Sequence, residues 1–189
     1  AGEIVYSKAF DLEEWAEVPL PAGFLAYLEA HPALWDHDSV ESAVIGVLML
    51  PEGPLLISSR PVITSDETGP IGGTLMMGRF LTDDRIQRLA GVTHTELEIK
   101  RLDEAVLSDD YQAAAAALSG SATTFVQVLD RDTIAGYALV TDVDGLPGLI
   151  LRVVSPRDLF RQVTGNAGMF LGVMVAVSVV ALLAAWFPL

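Results

Sequence analysis

The sequence contains no cysteine in its 189 residues and has few basic side chains. Without cysteine the chain can form neither disulfides nor thiolate metal sites. Its 11 lysines and arginines are outnumbered by 25 acids, which leaves a net charge of −14. Nucleic-acid binding needs basic stripes that displace counterions, so we expect no nucleic-acid partner. The same acidity argues against this surface lying on anionic lipid.

Catalytic sequence motifs are missing as well. The chain has no nucleophile elbow, no glycine loop that would cradle phosphates and no paired-histidine metalloprotease motif. A catalytic pair of carboxylates could exist among the 25 acids, but no spacing singles one out. We therefore expect that this chain is not an enzyme and carries neither a cofactor nor a metal.

A long apolar run is present near the C-terminus. Residues 167–187 (AGMFLGVMVAVSVVALLAAWF) are 21 positions without a charge. As a helix they would extend about 31 Å, close to the roughly 30 Å hydrocarbon thickness of a bilayer. The alternative is a buried core helix, although such a helix usually keeps a polar face. The run predicts one C-terminal transmembrane helix and hence a membrane partner.

Small residues recur along one side of this run. Gly168 and Gly172 form a GxxxG step that Ala176 continues. Such a surface lets two membrane helices approach closely. It predicts a helix–helix contact, either in a homodimer or with another span of the same protein.

The pattern before the run predicts an α+β fold of antiparallel sheets with covering helices. A strand at 3–9 and an acidic connection at 11–18 come first. Short turns join the next three strands, so they must be antiparallel. A second group of three strands follows after two helices and a separate half-buried strand. The strands are predicted at 43–50, 55–64, 71–81, 95–102, 124–129, 134–141 and 149–154, and the helices at 24–30, 85–91 and 109–118.

These elements divide the chain into four parts. Residues 1–81 are expected to form one core domain, and residues 82–154 a membrane-proximal α+β subdomain. A juxtamembrane helix is predicted at 155–166, with Ser155 as N-cap, Pro156 at N1 and Asp158 at N3. The transmembrane helix at 167–187 follows. A flexible tether near Gly165 is the alternative to a continuous helix.

Several short motifs occur together between Leu48 and Leu81. They are Ser59-Arg60-Pro61, the Gly69-Pro70 turn, Gly73-Thr74-Leu75 and Gly78-Arg79, with Ile134-Ala135-Gly136-Tyr137, Asp142 with Gly145, and Pro156-Arg157-Asp158 further on. Together they closely resemble the CHASE class of extracellular sensory domains, type four. The N-terminal helix and preceding membrane span of that class are absent here, so the chain is expected to be an N-terminally truncated fragment.

The resemblance implies a PAS/Cache-like sensory fold, with residues 1–81 as its sensory core. Residues 1–166 would lie outside the cytoplasmic membrane, and a histidine kinase or a diguanylate cyclase/phosphodiesterase module would follow inside the cell. The alternative is a tail-anchored envelope enzyme, or an assembly or scaffold protein, that uses the span only as an anchor.

Two arginines are candidates for ligand binding. If the turn between the second and third strands places Thr64 opposite Ile71, Arg60 and Arg79 project from the same sheet face, with Ser58 beside them. Guanidinium groups can hold a carboxylate or phosphate through paired hydrogen bonds, which predicts a small anionic ligand. The alternative is ion pairing, of Arg79 with Asp83 or Asp84 and of Arg60 with another acid.

Two other groups of polar residues are weaker candidates. The resemblance to Cache pockets suggests Tyr137 and Asp142 as ligand-binding residues, although a core tyrosine and a turn aspartate are the simpler interpretation. A loop holds two histidines near two acids, but its spacing does not match usual ligand patterns, so no metal site is predicted. These loop residues are His31, Asp36, His37 and Asp38.

Overall fold

The computed structural model describes residues 3–12, 14–66, 69–93, 95–120 and 122–156. The chain divides into two units, with the division between Leu81 and Thr82. The α+β class and the antiparallel sheets expected from the sequence are confirmed.

The first unit contains a small hairpin, one helix and a three-stranded sheet. Strands β1 (Ala9–Asp11) and β2 (Ala16–Val18) pair with each other. Helix α1 (Ala22–Ala30) follows, and then a 3₁₀ turn at Pro32–Leu34. The sheet is an antiparallel meander of β3 (Val44–Leu50), β4 (Gly53–Val62) and β5 (Gly73–Phe80), in that order.

One face of this sheet forms the core of the first unit. Leu48, Leu50 and Ile57 alternate inwards and are almost fully buried, together with Leu34 of the 3₁₀ turn. Side-chain hydroxyls of the sheet also bind the chain that crosses this face. Ser59 donates to the carbonyl of Leu34, and buried donors of this kind are costly to leave unpaired.

The second unit is a four-stranded antiparallel sheet with a helix on each face. Helix α2 (Asp83–Thr93) and strand β6 (Glu96–Arg101) come first, followed by helix α3 (Asp109–Leu118). Strands β7 (Thr124–Val128), β8 (Thr133–Thr141) and β9 (Pro147–Pro156) complete the sheet. The spatial order is β6-β9-β8-β7, which makes β9 an interior strand.

The two faces of this sheet have separate apolar cores. On one face Tyr111 and Leu118 of α3 pack on Ala135, Tyr137 and Ile150. On the other face Ile86 and Ala90 of α2 pack on the alternate residues of β6 and β9, which are Leu97, Leu151 and Val153. The period of two along each strand thus sends its side chains to the two helices in turn.

Three sequence expectations need correction. The half-buried strand at 95–102 is not separate, because β6 pairs with β9 and the second sheet has four strands. The N-terminal region is a short hairpin rather than one strand and a connection. Ser155 and Pro156 pair with β8 as the end of β9, so they are strand residues and not the start of a helix.

The predicted membrane helix falls outside the part of the chain that the structure describes. The same holds for the rest of the predicted juxtamembrane helix, including Asp158, and for the packing surface of Gly168, Gly172 and Ala176. Among the described residues, no helix has the length and apolar character needed to cross a bilayer.

Candidate functional site

The first candidate site is the outer face of the three-stranded sheet, which we call the arginine face. Arg60 pairs with Leu75 and Arg79 pairs with Leu56, so the expected register is confirmed. Alternation along the strands places eleven side chains on this face. They are Ile45, Val47, Met49, Pro54, Leu56, Ser58, Arg60, Val62, Leu75, Met77 and Arg79.

The two guanidinium groups occupy well-separated rows of the face. Arg79 pairs with Leu56, which lies four positions before Arg60 on β4. The two rows are therefore about 13 Å apart at the usual strand rise. Ser58 lies in the row between them but is only 7% exposed. Neither arginine forms an ion pair with a described acid of the first unit. Their role in ligand binding stays a prediction, and the spacing suits an extended anionic partner better than one small carboxylate.

The arginine face is otherwise apolar and open. Ile45, Val62, Leu75 and Met77 are 44%, 48%, 59% and 51% exposed. None of the eleven side chains on the face is acidic, although the chain has 25 acids. Clustered exposed apolar residues of this kind commonly mark an interaction surface.

His31 and His37, near the opposite face, make contacts with neighbouring side chains of the first unit. His37 Nε2 lies 3.1 Å from Ser59 Oγ, and Ser42 Oγ lies 2.7 Å from His37 Nδ1. His31 stacks on Tyr27 with 3.8 Å between ring centroids. Within the described ranges no three histidine or acidic side chains are grouped closely enough to hold a metal ion.

The second candidate site lies beneath the start of α3 in the second unit. Strand pairing aligns Glu98, Arg152, Tyr137 and Phe125 in one row across all four strands. The first turn of α3 brings Asp110 and Tyr111 over this row. We call Glu98, Asp110, Tyr111, Tyr137 and Arg152 the Arg152 cluster.

Asp110 is the central acceptor of the Arg152 cluster. Its Oδ2 atom accepts a hydrogen bond from the Tyr137 hydroxyl at 2.7 Å and one from Arg152 Nη1 at 3.2 Å. The same Nη1 atom lies 3.3 Å from Glu98 Oε2. The guanidinium group of Arg152, on β9, therefore bridges a carboxylate on α3 and a carboxylate on β6.

Burial and these contacts set the protonation of the cluster. Burial raises the pKa of Asp110, but hydrogen bonds from Ser108 and Tyr137 and the charge of Arg152 outweigh it and hold the pKa below its usual value. Burial also raises the pKa of Tyr111, to which the negative charge of Glu98 adds. Burial, and then the bond to Asp110, raises the pKa of Tyr137. Both tyrosines are therefore neutral, and Tyr137 donates its hydrogen bond to an ionised aspartate.

Two donors of the cluster have no hydrogen-bond partner among the described residues. They are the Tyr111 hydroxyl and Arg152 Nε. The guanidinium carbon of Arg152 lies 5.6 Å from the centre of the Tyr111 ring, which gives a cation–π contact. Unpaired buried donors are costly, and an ordered water is the ordinary way to satisfy them.

Tyr137 and Asp142 are not joined as the resemblance suggested. The hydroxyl of Tyr137 is committed to Asp110. The Asp142 carboxylate accepts from the backbone of Asp144 and Leu146 within its own turn, at 3.0 and 2.8 Å. Asp142 therefore shapes the turn between β8 and β9, where Gly145 adopts a positive φ of 79°.

The sequence interpretation missed Asp110 and Arg152. Their contact joins positions 42 residues apart, and the bond from Tyr137 to Asp110 joins positions 27 apart. The available signal was a single arginine in the otherwise apolar strand segment LILRVV, at 149–154. A charge at such a position is rarely left without a partner.

Comparison with known proteins identifies the family of the chain. The model of the CHASE4 domain matches residues 1–100, more than half of the 189-residue chain. The chain belongs to the CHASE4 family. It is thus a CHASE-class sensory domain with a role in signalling, and the resemblance seen in its motifs is confirmed.

A curated relative of this CHASE4 chain is the "methanogenesis regulatory histidine kinase FilI" of Methanothrix harundinacea. The two are 31% identical over 160 residues, which cover 84% of this chain and 17% of that protein. The chain therefore spans only a small part of the length of this relative. No solved structure matches the chain.

The CHASE4 match includes the arginine face but only part of the Arg152 cluster. It ends at residue 100, within β6, so Glu98 lies inside the matched range. Asp110, Tyr137 and Arg152 lie beyond it. The family match alone therefore does not identify the cluster, which becomes visible through the fold.

Proposed function

We propose that this chain is the extracytoplasmic sensing part of a transmembrane signalling receptor. It relays a conformational change through a membrane helix at 167–187 to a cytoplasmic output module, a histidine kinase or a diguanylate cyclase/phosphodiesterase. The observation that carries the proposal is the position of β9. This interior strand ends at Pro156, and only ten residues separate it from the uncharged run that begins at Ala167. A mere anchor needs no such direct connection to the centre of a sheet.

In this proposal the Arg152 cluster couples α3 to the strand that leads towards the membrane. Arg152 on β9 is bonded to Asp110 on α3 and to Glu98 on β6. A movement of α3 would therefore act on β9 through charged hydrogen bonds, which are stronger than neutral ones. Coupling through packed elements with defined contacts is the physical route by which a distant site changes an output.

The proposed recognition element is the arginine face. Arg60 and Arg79 have no acidic partner within the described first unit, and they sit on an apolar background. Guanidinium groups in such surroundings favour carboxylate or phosphate groups. The expected partner is anionic, and the receptor is expected to work as a homodimer in the cytoplasmic membrane.

Insertion scanning between Pro156 and Ala167 tests the relay. The chain is fused after Leu189 to a histidine kinase module, and one to four alanines are inserted at that junction. Each residue rotates a helix by about 100°, so kinase output should rise and fall with the number inserted. The same insertions in the exposed turn at 130–132 are the control and should leave the output unchanged. A constant output across the junction series would favour the anchor alternative.

A further inference from the structure

The N-terminal segment of the first unit exposes many large apolar side chains. We call residues 3–18 the arm; it comprises an extended stretch and the β1–β2 hairpin. Val5, Tyr6 and Trp15 are 93%, 80% and 77% exposed, and Ile4, Phe10 and Leu12 are 56%, 42% and 45% exposed. A two-stranded hairpin with three-residue strands is only marginally stable alone in water. The arm therefore needs a surface to cover it.

The arm is strongly acidic. Its sequence contains five acids and one lysine. Lys8 already forms an ion pair within the arm, because its Nζ atom lies 2.9 Å from Glu17 Oε2. The carboxylates of Glu3 and Glu14 are exposed and have no partner among the described residues. They are available to a cationic surface.

The arginine face is complementary to the arm in both respects. It carries two arginines, no acid and four exposed apolar side chains, the last being Ile45, Val62, Leu75 and Met77. Within one copy both surfaces remain open, because the large side chains of each are exposed in the same structure. Neither surface covers the other in a single chain.

We propose that the arm of one copy docks on the arginine face of a second copy. Reciprocal exchange of two arms would give a closed two-fold dimer, in which each copy supplies one arm and one face. Apolar side chains would supply the contact area, and the arginines would select the acidic arm and set its orientation. The inference rests on the anion-recognition role proposed for Arg60 and Arg79 and names the anion as the carboxylates of the arm.

The absence of cysteine from the chain makes cross-linking a clean first test. One tagged full-length chain carries an arm cysteine, and a second, differently tagged chain carries a face cysteine. Both are expressed together in membranes and mildly oxidised. The arm variants are Val5→Cys, Tyr6→Cys and Trp15→Cys, and the face variants are Leu75→Cys and Met77→Cys. A mixed-tag disulfide dimer is expected for at least one arm–face pair, because a disulfide requires close Cβ atoms.

Val106→Cys is the matched control for the face cysteine. Val106 is 86% exposed but belongs to the second unit. It should give no mixed-tag dimer with any arm variant. A lack of mixed-tag dimer for every arm–face pair would overturn the proposal, and so would a chain carrying both cysteines that forms only an internal disulfide, since the arm would then cover its own face.

Charge reversal provides the second, sharper test. Arg60→Glu with Arg79→Glu in every copy makes both face and arm acidic, and cross-linking should fall at least about tenfold. Glu3→Lys with Glu14→Lys in every copy leaves the arm with three acids and three lysines, so its net negative charge is removed and cross-linking should fall as well. Mixing one copy of each kind restores an acidic arm on a basic face at one of the two interfaces and removes the contact between like charges at the other, and it should restore cross-linking to within about twofold of the parent.

Reversal of exposed charges elsewhere is the control for net charge. Arg88→Glu with Arg131→Glu, and separately Glu29→Lys with Glu41→Lys, should leave cross-linking unchanged. Unchanged cross-linking in the face variant, or no recovery in the mixture, would overturn the docking proposal. Succinate serves as the small-anion probe. Its binding to the face in a chain that gives no arm–face disulfide would also overturn docking and assign the arginines to a small ligand.

These readouts separate the two proposals. Cross-linking reports arm docking, whereas kinase output after alanine insertion reports the relay. Lost cross-linking with periodic output would overturn docking and leave the receptor standing. Cross-linking that persists while the kinase output stays constant would overturn the receptor proposal and leave arm docking standing.

Discussion

Arg152 is the residue on which the second unit depends most for its polar interior. It is the shared cation of Asp110 and Glu98, and its side chain is only 23% exposed. Two carboxylates close together in a half-buried site repel each other unless a cation lies between them. The arginine therefore allows α3 and β6 to meet the same strand.

Replacing Arg152 with methionine should destabilise the second unit. The change keeps a long side chain but leaves Asp110 half-buried without its cation, which should cost about 2 kcal/mol. Chemical denaturation of the full chain measures the free energy of unfolding. Arg88→Met, at an exposed position of α2, is the control and should change stability by less than about 0.5 kcal/mol. Equal effects of the two substitutions would contradict the role given to Arg152.

Asp110 should make stability depend on acidic pH. The pKa of Asp110 is lower in the folded chain than its usual value, so its ionised form stabilises the fold. That stabilisation is complete above the unfolded pKa of about 4 and is lost as the pH falls through the folded pKa. Asp110→Asn should therefore be less stable than the parent at pH 7, and the difference should shrink as the pH is lowered to about 3. Asp109→Asn, the exposed neighbour, is the control; a constant difference for Asp110→Asn would refute the assignment.

Residue-level prediction from the sequence succeeded where the chain is locally regular. Arg60 and Arg79 share a face because a short turn and a period of two determine their register. The Arg152 cluster was beyond such reasoning, because its members come from four elements and meet only when α3 covers the sheet. Tyr137 was selected, but its partner is Asp110 and not Asp142.

At the scale of elements, the start of α1 shows how one turn fixes a helix. Gly23 donates its backbone N–H to Glu52 Oε1 at 2.8 Å, which supplies the helix cap that Pro21 lacks. The β3–β4 turn thereby holds the N-terminus of α1. A Cβ atom at Gly23 would come within 2.7 Å of Pro51 and closer still to the Glu52 carboxylate.

Gly23→Ala should lower the stability of the first unit. Alanine favours a helix by about 1 kcal/mol over glycine, but the clash with the β3–β4 turn should outweigh this gain and destabilise by about 1–3 kcal/mol. Thermal unfolding provides the measurement. Gly91→Ala in α2 is the matched control, because nothing lies within 4 Å of its added Cβ atom, and it should be neutral or stabilising. A stabilised Gly23→Ala chain would show that the turn does not constrain α1.

Most helices and strands were predictable, whereas their pairing was only partly so. Turns such as Pro51–Pro54 marked the first meander, and the alanine-rich segment marked α3 at Asp109–Leu118. Nothing local indicated that β6 would lie beside β9, since a helix and two strands intervene in the chain. Pro156 was taken for a helix start, but as the last residue of β9 it ends a strand instead, a position where its missing N–H is tolerated.

At the scale of the whole molecule, excess negative charge opposes folding while it favours the proposed exchange of arms. A net charge of −14 on 189 residues creates self-repulsion in the compact state. The arginine face is a local exception to this field. Salt should therefore affect stability and docking in opposite directions.

Raising the salt concentration should raise the unfolding midpoint and weaken arm–face cross-linking. Screening relieves repulsion among the acids, and it also reduces attraction between exposed opposite charges. Thermal scans and cross-linking of the same preparation, in about 0.02 M and about 0.5 M sodium chloride, measure both effects where the Debye length differs several-fold. A midpoint that falls with salt would contradict the charge argument for stability.

The row of Glu98, Arg152, Tyr137 and Phe125 limits how β9 can move. If β9 slid by one residue, Arg152 would turn into the apolar contact with α2, and Leu151 would turn among the charges beneath α3. Both changes are costly, so a slide of β9 against its neighbouring strands is strongly disfavoured. We therefore expect any motion that leaves the unit along β9 to be a displacement, tilt or rotation of the four strands together, and not a piston stroke of this strand alone.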